Sequence, residues 1–218
     1  MPPWLKQLSL AWVLLGFATA IATAVDVWRH RQRMPIMNIV WPVTGLYLPL
    51  AAWWCYRLMG RAARRASGPP PPWQAAFVSS THCGSGCVLG DAIGAPLVLA
   101  GGWALAGQRL FAEYVVEFTL AYLFGVVFQY FSIRGMRPGS RRAALGAALK
   151  ADTLSLLAFE VGMFAWMALV HYLLLPGREF TAATIPFWFM MQIAMTLGLI
   201  SAYPANWLLI RWGVKQAM

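Results

Sequence analysis

Apolar residues fall along this chain in six long runs, near 8–25, 35–56, 84–106, 114–133, 153–175 and 186–210. Each is close to the ~20 residues that a helix needs to cross a bilayer. The pattern predicts an all-α, polytopic transmembrane helical bundle of about six spans with both termini cytoplasmic, forming one helical membrane domain over 1–218. The third run is the least regular, because its glycine-rich start also suits a re-entrant or interfacial turn. The first is not read as a cleavable signal peptide, since its positive region is only Lys6 and no secreted domain follows. The remaining feature of organisation is a proline-rich cytoplasmic linker, "GRAARRASGPPPPWQ" (60–74), a stiff extended spacer. No internal repeat is evident.

Composition supports the membrane reading. The chain is 60% hydrophobic and 11% charged, where soluble domains carry roughly 25% charged residues. The formal charge of +10 raises nucleic acid as a partner, and its distribution argues against it. Six spans put Lys6, Arg57, Arg61, Arg64, Arg65, Arg134, Arg137, Arg141, Arg142, Lys150, Arg211 and Lys215 on one side. Arg29, Arg31, Arg33, Arg109 and Arg178 fall on the other. That asymmetry follows the positive-inside bias of a bacterial inner (cytoplasmic) membrane protein meeting anionic headgroups. The basic loop 26–35 is left on the outer side, where this topology does not explain it.

Polar residues inside the spans carry the candidate chemistry. Asp91, Glu117 and Glu160 lie in predicted spans, where a carboxylate costs a few kcal/mol and normally has a partner or a role. In "STHCGSGCVLGDAIG" (80–94), Cys83, Cys87 and Asp91 share a helical face, with His82 beside them. Thiolate, imidazole and carboxylate together suit a soft transition metal, Cu(I) or Zn. Gly86, Gly90 and Gly94 form a small-xxx-small stripe for close helix packing. Buried cysteine also serves as a small hydrophobe, so packing remains an alternative for Cys83, Cys87 and the lone Cys55.

Methionine is the second enrichment. Met163 and Met167 continue the face of Glu160 toward His171, and Met191 and Met195 lie a turn apart beside Gln192. Glu117, Ala121, Gly125 and Gln129 form an i+4 ladder, and Asn38 follows Met34 and Met37. Thioethers suit Cu(I), although methionine also fills apolar cores. Sorted by depth, these residues run from thioethers outside, including Met34 and Met37, through carboxylates to thiolates inside. The first functional expectation is therefore binding or translocation of a soft metal ion, with Cu(I) the best fit. The alternatives are a proton- or cation-coupled small-molecule permease or membrane scaffold using Asp91, Glu117 and Glu160, and a membrane thiol enzyme. Neither a nucleotide-binding loop nor a covalent haem motif is present. The expected partners are the bilayer and a metal ion or small cation, not nucleic acid, and homo-oligomers stay open.

Five blocks in order, "MNIVWPVTGLYLPLAAW", "THCGSGCVLGDAIG", "FGVVFQYFSIRGMRP", "ALKADTLSLLAFEVGMFAWM" and "FWFMMQIAMTLGLISAYPANWLLIRWGVKQAM", resemble the bacterial membrane proteins grouped as domain of unknown function 4396. The resemblance runs from about Met37 onward. It implies a polytopic helical membrane protein and no particular activity. Ser85 stands where members commonly have alanine.

Overall fold

The computed structural model describes residues 2–61, 70–136, 141–177 and 180–215, with the side chains of 134–136, 141, 143, 144, 147 and 151 left aside. The described chain is helical: α1 Pro3–Arg29, α2 Met37–Tyr47, α3 Ala51–Cys55, α4 Pro72–Gly101, α5 Arg109–Met136, α6 Arg141–Leu169 and α7 Ile185–Arg211. Wide π-helical turns, Tyr56–Arg61 and Val170–Leu174, extend α3 and α6. Among the described residues, five helices are long and apolar enough to cross a membrane: α1, α4, α5, α6 and α7. The most buried of the five is α4, so the bundle is assembled around it.

The second predicted span is not one helix. Pro42 lies inside α2 and Pro49 follows it, and Leu50 takes φ 60°. A proline cannot donate its backbone hydrogen bond, so a helix breaks readily there. The chain turns back at 48–50. Gly45 near the turn meets Ala20 in the middle of α1, where an added Cβ would lie 2.8 Å from the Ala20 nitrogen. After the turn the chain returns to where it began. Tyr56 donates its hydroxyl to Asp26 Oδ2 at 2.7 Å, and Arg61 Nη1 pairs with Asp26 Oδ1 at 3.1 Å. Arg61 Nη2 lies 3.1 Å from His30 Nε2. Both arms of this hairpin thus start and finish beside the end of α1, and its tip reaches mid-bundle.

A non-helical turn inside a membrane protein must find partners for its backbone. Here α1 and α7 supply them. Leu50 donates its N–H to Thr19 Oγ1 at 3.1 Å, Thr196 donates to the Tyr47 carbonyl at 3.1 Å, and Gln192 donates to the Leu46 carbonyl.

The hairpin changes the topology read from the sequence. Five crossings put the first and last described helices' free ends at opposite ends of the bundle, where six crossings put them together. The basic loop after α1 shares an end with Arg57, Arg61, the start of α4, the ends of α5 and α7, and the start of α6. Lys6 and Arg109 lie at the other end, and Met34, Met37 and Asn38 are at this basic end instead of the one assigned to them. Arg64, Arg65, Arg137, Arg178 and most of the proline-rich linker lie outside the described residues.

The third predicted span also differs. Instead of beginning at 84, α4 begins at Pro72 and runs unbroken through every glycine, so His82, Cys83, Cys87 and Asp91 are mid-helix. Ser80 and Ser85 return their hydroxyls to the carbonyls four residues back, and Thr81 to the one three back. These bonds let polar residues sit inside the bundle without competing for helix hydrogen bonds.

Candidate functional site

Two small-residue ladders meet at the contact between α4 and α5. A Cβ added at Gly86 would lie 2.9 Å from the Gly125 nitrogen, one at Gly90 2.5 Å from the Ala121 nitrogen, and one at Gly94 3.0 Å from Glu117 Cγ. The backbones touch, as small residues permit between membrane helices. The i+4 ladder Glu117–Ala121–Gly125 of α5 lies directly against the glycine stripe of α4. On α6 and α7, Gly162 and Gly198 pack in the same way against Ser201 and Phe159.

This tight packing surrounds acids. Asp91, Glu117 and Glu160 are 0%, 2% and 2% exposed. Asp91 lies within electrostatic reach of Glu160, and Glu117 within reach of Asp91 and Glu113. Cys87 stands between Cys83 and Glu160 on the same side. Both oxygens of Asp91, and one each of Glu113 and Glu117, have no hydrogen-bond partner among the described residues, and Glu160 has the Cys87 thiol beside it. Buried carboxyls are almost always hydrogen-bonded, so these acids stand apart from the apolar packing around them.

The row continues toward the basic end. Gln129 is buried with both amide atoms unpartnered. Ser132 and His82 Nε2 are 2.9 Å apart, and the Phe128 backbone lies beside the same imidazole. Asp152 on α6 is fully buried, its carboxylate over the bare backbone of Gly125 and both oxygens unpartnered. From Glu113 to Ser132, α5 rises about 28 Å at 1.5 Å per residue, close to the ~30 Å of a hydrocarbon core.

A second polar cluster closes the basic end. Gly213, at φ 68°, turns the chain after α7 and brings Lys215 inside, where it is 2% exposed. Its ammonium donates to Asn206 Oδ1 at 2.8 Å and to Ser155 Oγ at 3.2 Å. Ser155 donates to Asn206 Oδ1 at 2.9 Å, and Asn206 Nδ2 donates to Ser80 Oγ at 3.0 Å. Burial pushes the Lys215 ammonium below the ordinary lysine range, and the nearby Cys83 and Asp152 partly oppose that.

The other residues singled out from the sequence divide between one apolar cluster and separate structural places. Met163, Met167, Met191 and Met195 are buried in one cluster with Cys83 and Cys87. Among the described residues no three His, Cys, Asp or Glu side chains converge to hold a metal ion. Gln192 holds the hairpin tip, and Asn38 orders the basic-end loop by accepting from the Gln32 N–H at 2.8 Å. His171 stacks edge-on against Tyr172 in the turn after α6. Asp152, Glu113 and Lys215 were not singled out as interior groups. Asp152 could have been, since it stands two i+4 steps before Glu160, but nothing in the sequence marks Lys215 as buried.

No curated protein and no solved structure matches the chain significantly. One family does, over residues 72–215, from the first turn of α4 to Lys215. The hairpin block at 37–53 falls outside the match, which covers every residue of the carboxylate row and about two thirds of the chain. The chain belongs to the family described as domain of unknown function (DUF4396).

Proposed function

We propose that this is a multi-pass protein of the bacterial inner membrane that passes protons, or a small cation coupled to them, along the carboxylate row between α4, α5 and α6. One observation carries the reading: Glu113, Glu117, Asp91 and Glu160 form a contiguous buried series in which both oxygens of Asp91 and one each of Glu113 and Glu117 lack hydrogen-bond partners among the described residues, while Glu160 meets the Cys87 thiol. Each such acid costs about 2.5–3.5 kcal/mol at mid-bilayer on insertion scales, a cost that a passive anchor has no reason to carry. The basic end faces the cytoplasm in this reading. Among the described residues eleven Lys and Arg lie toward it and only Lys6 and Arg109 at the other end, a stronger positive-inside bias than six spans give. The acid row then opens outward at Glu113.

The test is the collapse of an imposed pH gradient in vesicles carrying the purified protein and an internal pH dye. Wild type should collapse the gradient faster than protein-free vesicles, and Asp91→Asn or Glu160→Gln should slow it at least tenfold. A rate unchanged by either variant would sink the proposal. Soft-metal binding keeps one observation in its favour, the burial of Cys83 and Cys87 in one cluster with four methionines. It predicts instead that Cys83→Ser/Cys87→Ser abolishes both Cu(I) binding and activity.

A further inference from the structure

The cluster around Lys215 is organised as a cation site. Its hydrogen-bonding oxygens come from two helices that the chain brings together at the basic end, Ser155 of α6 and Asn206 of α7, and Asp152 of α6 acts on it from beyond ion-pair distance. All three side chains are 0% exposed. Asn206 is oriented from behind, because its Nδ2 is held by Ser80 Oγ and the Ala202 carbonyl, both at 3.0 Å. That leaves Oδ1 as the inward-facing acceptor. The occupant is a primary ammonium, the one buried Lys or Arg side chain among the described residues.

An ammonium group has three donors. Two of them are used, on Asn206 Oδ1 and Ser155 Oγ. The acid that balances its charge, Asp152, lies within electrostatic reach yet has both oxygens unpartnered. Asp152 therefore keeps acceptor capacity that Lys215 does not use. The cage is also built independently of Lys215, since the Ser155–Asn206–Ser80 chain links α6, α7 and α4.

We infer that Asp152, Ser155 and Asn206 form a binding site for a small monovalent cation of the ammonium type, and that Lys215 fills it as a tethered occupant. His82 and Asp152 lie within electrostatic reach of this ammonium. It fills the basic end of the core for as long as the turn after α7 holds it in place. The site is argued from its own geometry and stands or falls without the transport reading, because its test measures binding and not flux.

The experiment is chemical rescue. Lys215→Ala is extracted and purified in methylammonium chloride, then exchanged into choline chloride, whose cation is too large for the cage. Thermal unfolding is followed as methylammonium is titrated back. The expected result is a saturable rise in unfolding temperature for Lys215→Ala that wild type does not show and that Lys215→Ala/Asp152→Asn loses. Loss of fold on exchange into choline, reversed by methylammonium, supports the same conclusion. Lys215→Met, whose side chain refills the space without a charge, should fold in both salts and respond to neither. Lys215→Ala that unfolds identically in methylammonium and choline, or responds equally with Asp152→Asn, overturns the site.

Discussion

Gly90→Ala tests the packing that brings the acids together, because two effects of opposite sign meet at this position. Alanine is favoured over glycine in a helix by about 1 kcal/mol. Against that, the new Cβ would lie 2.5 Å from the Ala121 nitrogen, 2.8 Å from its Cα and 3.1 Å from its Cβ. Ordinary contact begins at 3.4 Å, so α5 must withdraw by about 0.9 Å. Two of these contacts are backbone, which cannot rotate away. Overpacking of this kind costs about 1–3 kcal/mol. The propensity gain is also reduced, since a membrane helix stays helical when its neighbours separate. The expected net effect is a loss of about 1–2 kcal/mol, read as a lower unfolding temperature in detergent. Gly86→Ala meets the Gly125 nitrogen at 2.9 Å and should cost less, and Gly94→Ala meets Glu117 Cγ at 3.0 Å and its backbone Cα and nitrogen at 3.2 and 3.3 Å and should cost least. Ala121→Gly should restore little to Gly90→Ala, because the clash lies with the backbone. A Gly90→Ala protein more stable than wild type, or three substitutions of equal effect, would refute the close approach of α4 and α5.

Two other consequences are open to direct measurement. Asp26→Ala removes the acceptor shared by Tyr56 and Arg61 at the base of the hairpin. Half-exposed Arg61 is rescued by water, so the loss should be about 2 kcal/mol, with Tyr56→Phe costing about 1; equal stability of Asp26→Ala and wild type would mean the hairpin is held elsewhere. Lys215 has a depressed folded-state value, so the unfolded chain binds more protons and the cost of burying its charge, full at lower pH, fades as pH rises toward 10.5. The unfolding temperature of wild type relative to Lys215→Met should therefore climb from neutral pH into the alkaline range, and a constant difference would contradict the burial of a charged Lys215.

Helix class was legible in the apolar runs because a bilayer demands length and apolarity, and four of the six runs are spanning helices with modest shifts of boundary. A fifth, at 84–106, was legible as a span but not in its start. Its polar half, 72–83, is tolerated inside the bundle through hydroxyls bonded within the helix and through burial by neighbours, neither of which hydropathy registers. The run at 35–56 misled for the opposite reason. It is apolar enough to span, but Pro42 and Pro49 fold it back, and the compensating hydroxyls and amide come from Thr19, Thr196 and Gln192, far away in sequence. The unexplained basic loop at 26–35 was in fact the clue, since a re-entrant hairpin puts it with the other cations. At the site, the acids Asp91, Glu117 and Glu160 could be named from their rarity and the ladders on α4 and α5 from their spacing, but not that these two faces pack together. The closure by Lys215 could not, because it depends on a glycine turn and on oxygens from two other helices.

The most direct measurement of whether cations reach the acids in the core uses Cys87, which stands beside Glu160 and is 0% exposed. In a folded, reconstituted protein whose other two cysteines are replaced by alanine, its modification by a small cationic methanethiosulfonate is followed by mass. The account predicts that Cys87 reacts in the folded state, and at least several-fold more slowly once Asp91→Asn and Glu160→Gln remove the acids that draw the reagent in. Reaction only after denaturation, with or without those substitutions, would mean a dry core and would contradict it.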